Sequence, residues 1–300
     1  MEKLIEKADF KQKRHLLDRP FVYKLGIGSI GFFPTWLSYG FAEKIAALSY
    51  IFCSQARENV KKNLRNVFPK ISNKELSSMA LRTFKNYSNF LVDYGRFSSL
   101  DRESMFKVIK YINGEENIRK SIKKNKGIIL LTGHLGNWEL GGMYFGKQNI
   151  KINVLTFRDE MANIHDIRTR YRKFHNIDTI AVGESPFSSI EIINALQRNE
   201  VVALLVDRYG KTGGMAVKFF GKPAYFPLGP VILAKISGAP IIPAFVVKVD
   251  KKSFRVIVEK PIEVPSNIGK EIGPYLQKIV NVFEKVIREY PDQWYNFAPI

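Results

Sequence analysis

The sequence predicts an α/β fold: a mostly parallel central sheet flanked by helices, preceded by an N-terminal helical segment that associates with a membrane. From Gly127 onward, short apolar runs alternate with stretches of helical periodicity, which is typical of parallel strands joined by helical crossovers. From Leu25 to Ala42 no residue is charged. We therefore divide the chain into a basic and apolar anchoring segment, residues 1–55, and a main domain, residues 56–300.

The elements follow in chain order. One helix is predicted over Ala46–Asn66, and a second opens at the capping residues Ser72–Glu75 and continues to Arg96. Strands are predicted at Gly127–Thr132, Ile152–Thr156, Thr179–Val182, Val201–Val206, Met215–Phe219, Ile241–Lys248 and Phe254–Val258. Helices are predicted at Trp138–Phe145, Ala162–Phe174, Ser188–Gln197 and Ile272–Arg288.

The uncharged segment Leu25–Ala42 reaches the lower bound of about 17 residues that a bilayer-spanning helix needs. Its glycines and Pro34 disfavour a continuous helix, and its aromatic residues suit a membrane interface. We expect an interfacial or re-entrant anchor, with a single span and a buried helical hairpin as alternatives. No small-residue cleavage site follows, so we expect no cleaved signal.

Composition limits the partners. Lys and Arg number 47 against 28 Asp and Glu, a formal net charge of +19, which favours polyanions. The basic residues are scattered along the chain and form no nucleic-acid motif. Aromatic residues make up 13% of the chain, and Phe leads them. These observations favour anionic membrane lipids as partners over nucleic acid.

Cysteine and histidine usage argue against metal and disulfide chemistry. Cys53 is the single cysteine, so no intramolecular disulfide is possible. The four histidines show no metal-binding spacing. We expect no metal and no cofactor.

The most informative motif is the segment Gly127–Glu139, in which an apolar run leads into His134. His134 is predicted to lie where a strand ends and a helix begins, the edge at which open α/β sheets bind ligands. Glu139 follows five positions later in the first helical turn, and Asn137 is a candidate cap. A base and a carboxylate at such a turn can make an oriented proton acceptor. A surface histidine that happens to lie near a glutamate is the alternative.

This motif resembles the His-x4-Asp/Glu signature of the glycerolipid acyltransferase superfamily. The stretch Gly133–Glu139 is similar to its lipid A branch, the late lauroyl/myristoyl transferases of lipopolysaccharide assembly. The resemblance runs from about Val60 to Trp294. Further matches occur in family order at Arg158, Asp207, Phe219–Ala224, Gly229, Leu233–Pro243 and Tyr290–Trp294.

The resemblance implies transfer of a fatty acyl group from acyl carrier protein, or from coenzyme A, to a lipid hydroxyl. His134 would be the general base and Glu139 would hydrogen-bond the other ring nitrogen of that histidine. The acceptor hydroxyl is itself the nucleophile, so no covalent acyl-enzyme is needed. Backbone amides near Gly133 and Gly136 could contribute to an oxyanion site. Substrate-binding roles are expected for Gly133, Asn137, Arg158, Asp207, Arg208, Gly221 and Lys222.

Two departures from the family leave the acceptor open. Arg208 stands where the family commonly has Gln, and the tail Tyr295–Ile300 lacks the arginine that the branch often carries there. The leading expectation is a lipid A precursor, acylated at the cytoplasmic face of the bacterial inner membrane. A phosphatidylinositol mannoside, a lysophospholipid or an aminolipid is the alternative acceptor. A thioesterase, a non-catalytic membrane-binding protein and a nucleic-acid binder are the alternatives from other classes.

Overall fold

The protein is described from a computed structural model, which describes residues 33–97, 102–146, 149–157, 172–173, 175–182, 187–208, 214–269 and 271–300. The predicted helix Ala162–Phe174 lies almost wholly outside these residues, as does Arg158. Residues 1–32 of the predicted anchoring segment also lie outside them.

A helical layer precedes the sheet. It consists of α1 (Thr35–Phe52), α2 (Ser54–Val67), α3 (Asn73–Phe97) and α4 (Arg102–Val108). The expectation of one helix over Ala46–Asn66 is wrong, because α1 and α2 meet at Cys53, whose ψ of 68° is not helical. Arg57 stabilises the break, since its guanidinium donates to the carbonyls of Tyr50 and Ile51 at 2.9 Å. The carbonyls of the last turn of α1 thereby gain a hydrogen-bond donor.

The predicted start of α3 is confirmed. The Ser72 amide donates to Glu75 Oε2, and the Glu75 amide donates to Ser72 Oγ, both at 3.2 Å. This reciprocal pair is a capping box, which satisfies two backbone donors that would otherwise have no intrahelical partner.

The central sheet has the order β1-β9-β8-β2-β5-β3-β4. Neighbouring strands pair parallel except β8 and β9, which confirms the predicted mostly parallel sheet. A separate antiparallel hairpin is formed by β6 and β7. The strands are β1 (Ile109–Asn113), β2 (Ile128–Thr132), β3 (Ile152–Phe157), β4 (Ile177–Val182), β5 (Val201–Leu205), β6 (Gly214–Phe219), β7 (Lys222–Pro227), β8 (Ile241–Lys248) and β9 (Phe254–Val258).

Helices cover both faces of the sheet. They are α5 (Glu115–Ile122), α6 (Trp138–Gly146), α7 (Ser188–Gln197), α8 (Gly229–Ser237) and α9 (Gly273–Glu289), followed by a short 3-10 turn (Pro291–Gln293). Ile129 and Leu131 of β2 join the core that contains Phe283 of α9. Ile128 of β2 joins the opposite core, which contains Leu140 of α6. The strand is buried on both faces, as the run of apolar residues predicts.

α1 exposes large apolar side chains to solvent. Those exposed on the helix are Trp36, Leu37, Phe41, Leu48, Ile51 and Phe52. Within the described part of the chain, no helix combines the length and the apolar character that crossing a bilayer requires.

Candidate active site

Sheet register brings His134 beside Asp207. β2 and β5 pair in parallel from Ile128↔Val201 to Thr132↔Leu205. His134 lies two residues after the end of β2, and Asp207 lies two residues after the end of β5. The two residues are 73 positions apart in sequence, as are the paired residues of the two strands. Both side chains therefore lie at the carboxyl edge of the sheet, where ligands of open α/β folds bind.

Asp207 contacts both the backbone and the ring of His134. Its Oδ1 lies 2.8 Å from His134 Nδ1, and the His134 amide lies 3.0 Å from each carboxylate oxygen. The Asp207 side chain is 1% exposed, whereas that of His134 is 22% exposed. The carboxylate is thus enclosed while the imidazole retains access to solvent.

Asp207 is ionised at neutral pH. Burial alone would raise the pKa of its carboxyl, but the charge and hydrogen bonds of His134, with the charge of Arg208, lower that pKa to about 2. An ionised carboxylate can only accept hydrogen bonds, so His134 Nδ1 carries a proton. When the ring is neutral, its lone pair lies on Nε2, which is the atom that can take a proton from a substrate.

A second set of contacts comes from the C-terminal strap, which we define as Gln293–Asn296. The indole Nε1 of Trp294 donates to Asp207 Oδ2 at 3.0 Å. The Tyr295 amide donates to the His134 carbonyl at 2.7 Å, and Asn296 Nδ2 donates to the Asp207 carbonyl at 3.2 Å. The strap therefore holds both site residues. Trp294 lies in the family match Tyr290–Trp294, for which the sequence predicted no role.

The predicted pairing of Glu139 with the His134 ring is corrected. Asp207 occupies the Nδ1 position, while Glu139 accepts two hydrogen bonds from Arg172, at 2.6 Å and 3.2 Å. The Glu139 and Arg172 side chains are only 8% and 7% exposed. The physical reason lies in the register of β2 and β5, which delivers a carboxylate to the histidine from another strand.

Asn137 is the predicted helix cap. Its Oδ1 accepts a hydrogen bond from the Leu140 backbone N–H at 2.9 Å, and its own backbone N–H donates to the Val246 carbonyl at 2.7 Å. The residue is 2% exposed. Its expected contact with substrate stays a prediction.

The glycines of the loop allow close packing. Gly136 has φ +63°, and a Cβ there would lie 2.0 Å from the Val246 carbonyl oxygen. At Gly133 a Cβ would lie 3.0 Å from Asp207 Cγ. The amides of His134, Gly136 and Asn137 all donate to protein acceptors. These three amides are therefore already used, and they do not form the expected oxyanion site.

Of the other expected substrate residues, Arg208 lies at the site. Its guanidinium donates to the Tyr295 carbonyl, and its Nε is buried with no hydrogen-bond partner among the described residues. Gly221, with φ +77°, forms the turn of the β6–β7 hairpin. Lys222 donates to Asn66 Oδ1 at 2.7 Å, so its ammonium is held at α2 instead of at His134. Its expected phosphate contact stays a prediction.

Aromatic side chains form the apolar surroundings of the site. The His134 ring packs edge-on against Trp138 at 5.3 Å between centroids, and Trp138 stacks on Phe90 at 4.3 Å. On the other side, Phe219 of the hairpin packs at 5.8 Å against Trp294. Among the described residues, no group of three or more His, Cys, Asp or Glu side chains could hold a metal ion.

The chain is similar to known lipid acyltransferases. It is 26% identical to the lipid A biosynthesis lauroyltransferase of Escherichia coli over 93% of this chain and 84% of that protein. The palmitoleoyltransferase of the same organism is 24% identical over 84% and 80%. The phosphatidylinositol mannoside acyltransferase of Mycobacterium tuberculosis is 20% identical over 81% and 76%.

A model of the family described as bacterial lipid A biosynthesis acyltransferase matches residues 7–299, which is nearly the whole chain. The relatives carry acyltransferase names, as the resemblance of the motifs implied. The chain belongs to the bacterial lipid A biosynthesis acyltransferase family.

Proposed function

We propose that this acyltransferase moves a fatty acyl group from acyl carrier protein to a hydroxyl of a lipid A precursor, with His134 as general base. The observation that carries the proposal is the contact of His134 Nδ1 with the buried, ionised carboxylate of Asp207. That contact leaves Nε2 as the basic atom on a ring that is partly exposed. Asp207 takes the orienting role that the sequence had suggested for Glu139.

The reaction is balanced without a protein nucleophile. The acceptor oxygen attacks the thioester carbonyl carbon while its proton passes to His134 Nε2. Asp207 stabilises the imidazolium that forms, as the acid of a catalytic triad does. When the tetrahedral intermediate collapses, the carbon–sulfur bond breaks and the thiolate recovers the proton from Nε2. Donor and acceptor therefore have to be bound together at the site.

Arg208 is the substrate-binding residue with the best structural support. Within the part of the chain that the structure describes, its Nε is a buried donor with no acceptor, and such a group has a free-energy cost that a bound oxygen would remove. We propose that it binds a phosphate or the developing oxyanion. The same role for Arg158 stays a prediction, because that residue lies outside the described chain.

The membrane association rests on α1. Leu37, Phe41, Leu48 and Ile51 recur at helical spacing and are all exposed. An exposed apolar stripe of this kind, on a chain of net charge +19, suits the interface of an anionic membrane. We propose that α1 lies in the cytoplasmic leaflet of the bacterial inner membrane, so that His134 meets a lipid acceptor there.

The acceptor has a second candidate. The similarity to a phosphatidylinositol mannoside acyltransferase, at 20% identity, makes a mannosylated phosphoinositide the alternative to a lipid A precursor. The same His134 chemistry serves both acceptors, since each offers a hydroxyl next to anionic phosphate.

The test incubates the full-length purified chain with radiolabelled acyl carrier protein thioester, or with acyl-coenzyme A, and three acceptors. These are a lipid A precursor with a free 3-hydroxyacyl hydroxyl, a phosphatidylinositol mannoside and a lysophospholipid. We expect transfer to the first acceptor from the carrier-protein donor. Transfer to either other acceptor alone would overturn the lipid A assignment, and release of free fatty acid alone would make the protein a thioesterase. Mass spectrometry of lipids from cells lacking the gene should show one acyl chain missing from lipid A.

A further inference from the structure

We propose that Trp294 is a positioning residue of the catalytic site, whose indole N–H holds the Asp207 carboxylate in the orientation that presents Oδ1 to His134. The inference rests on the proposed role of His134 as general base. It extends the orienting chain by one member, from His134 through Asp207 to Trp294.

The hydrogen bonds at Asp207 divide between its two oxygens. Oδ1 contacts the His134 ring at 2.8 Å, and Oδ2 accepts the Trp294 indole at 3.0 Å. The His134 amide lies at 3.0 Å from both oxygens. Without the indole, this shared backbone N–H would be the one donor left to Oδ2 among the described residues. A buried carboxylate with fewer donors is less stable as an anion, and it is less constrained in rotation about its Cβ–Cγ bond.

Trp294 is itself fixed by its neighbours. It is 3% exposed, and its ring packs against Phe219 at 5.8 Å and Phe220 at 6.2 Å. Its backbone forms a bridge with Leu135, next to His134. The indole N–H therefore needs no rearrangement to meet the carboxylate, which is the condition for a preorganised group.

The adjacent Gln293 anchors the strap to the sheet. Its side chain accepts the Lys248 amide at 2.8 Å and donates to the Lys248 carbonyl at 2.7 Å. Its carbonyl accepts the Gly136 amide at 2.9 Å. The end of β8 and the His134 loop thus both hold the segment that carries Trp294, which sets the distance from the indole to Asp207.

A purely packing role for Trp294 makes a different prediction, and a substitution that keeps the ring but removes the N–H separates the two roles. Site-specific replacement of Trp294 by 3-benzothienylalanine preserves the bicyclic shape and lacks the donor. Trp294→Phe is the second variant, which also lacks the donor. Ile236, on α8 and 62% exposed, receives the same benzothienyl replacement as the control.

We expect kcat to fall by about 10- to 100-fold in both Trp294 variants. This is the usual range when a hydrogen-bond partner that orients a functional side chain is removed. KM should change by less than about threefold, since a positioning residue does not touch substrate. The control should keep the kcat of the unmodified protein. A kcat within twofold of that value for the benzothienyl variant, with an unchanged His134 spectrum, would overturn the proposal.

A spectroscopic measurement separates this proposal from the proposed function. With ¹⁵N-labelled histidine, the His134 Nδ1–H resonance is assigned by its loss in His134→Gln. We expect the benzothienyl replacement at Trp294 to move that resonance upfield, because the Asp207 contact weakens. This readout requires no turnover. A moved resonance in a chain that transfers no acyl group would therefore keep the positioning role and overturn the acyltransfer mechanism.

Discussion

Glu139 and Arg172 form a two-point ion pair in which both side chains are more than nine-tenths buried. Glu139 lies in the first turn of α6, directly after the loop that carries His134. The glutamate of the His-x4-Glu motif therefore connects α6 to Arg172, which lies in another segment of the chain. Asp207, from the neighbouring strand, makes the contact with the histidine.

The first prediction concerns Glu139→Gln. The substitution removes the Glu139 charge that pairs with the buried guanidinium of Arg172, so we expect the free energy of unfolding to fall by about 3–5 kcal/mol. Urea denaturation measures it. Glu103→Gln, which removes an exposed partner of Lys107, should change stability by less than about 0.5 kcal/mol. If the Glu139→Gln protein were as stable as the original but inactive, Glu139 would have a catalytic role and the structural role proposed here would be wrong.

The second prediction concerns Asp207→Asn. An amide can no longer act as a pure acceptor for Nδ1–H, so the ring loses both its fixed tautomer and the charge that stabilises the imidazolium. We expect kcat to fall by about 10²- to 10⁴-fold with little change in KM. Steady-state kinetics with the carrier-protein donor measure this. Asp178→Asn removes a half-exposed partner of Lys151 and should leave kcat within twofold.

The third prediction follows from the depressed pKa of Asp207, about 2 in the folded protein against an ordinary value of 3.8. A lowered carboxyl pKa contributes stability that is fully present above the unfolded value and is lost as pH falls toward the folded value. Between about pH 5 and pH 2, the original protein should lose about 2 kcal/mol more than Asp207→Asn. Urea unfolding across this range measures the difference. Parallel curves for the two proteins would contradict the ionised, buried carboxylate.

The fourth prediction concerns Gly136→Ala. The backbone is in the left-handed region, which costs a non-glycine residue about 1–2 kcal/mol, and the new Cβ would also collide with the Val246 carbonyl. Gly269→Ala is the matched control, since Gly269 has φ +59° and open space around its Cα. Thermal and urea unfolding should show a clearly larger loss for Gly136→Ala. Equal losses would mean that the close approach to β8 is absent.

The sequence predicted the sheet well because buried parallel strands are short apolar runs. The bounds of β8, β9 and α7 are as predicted, and β2 to β5 differ by at most two residues at either end. β7 was missed because Pro223 and Pro227 argue against a strand, yet both are tolerated in an isolated two-stranded hairpin. The break at Cys53 was missed because it depends on Arg57 binding the carbonyls of α1, and helical periodicity carries no sign of that contact.

The position of His134 was predictable, but its partner was not. His134 follows an apolar run, and that local pattern placed it at the end of a strand. Asp207 follows another apolar run, so the sequence did place it at a strand end as well. The adjacency of β2 and β5, and the register that puts His134 opposite Asp207, is a tertiary property that only the assembled sheet displays. The contact of Trp294 with Asp207 likewise depends on how the segment after α9 folds back onto the sheet, which no local sequence pattern shows.

The most direct test of His134 as general base is the turnover of His134→Gln in full-length protein, measured beside its free energy of unfolding and its binding to anionic vesicles. Removing the basic Nε2 should lower kcat by at least about 10²-fold. Stability should fall by about 1–3 kcal/mol, because buried Asp207 loses the Nδ1 donor, and vesicle binding, which we attribute to α1, should be unchanged. A His134→Gln protein that transfers acyl groups within threefold of the original rate would contradict the mechanism.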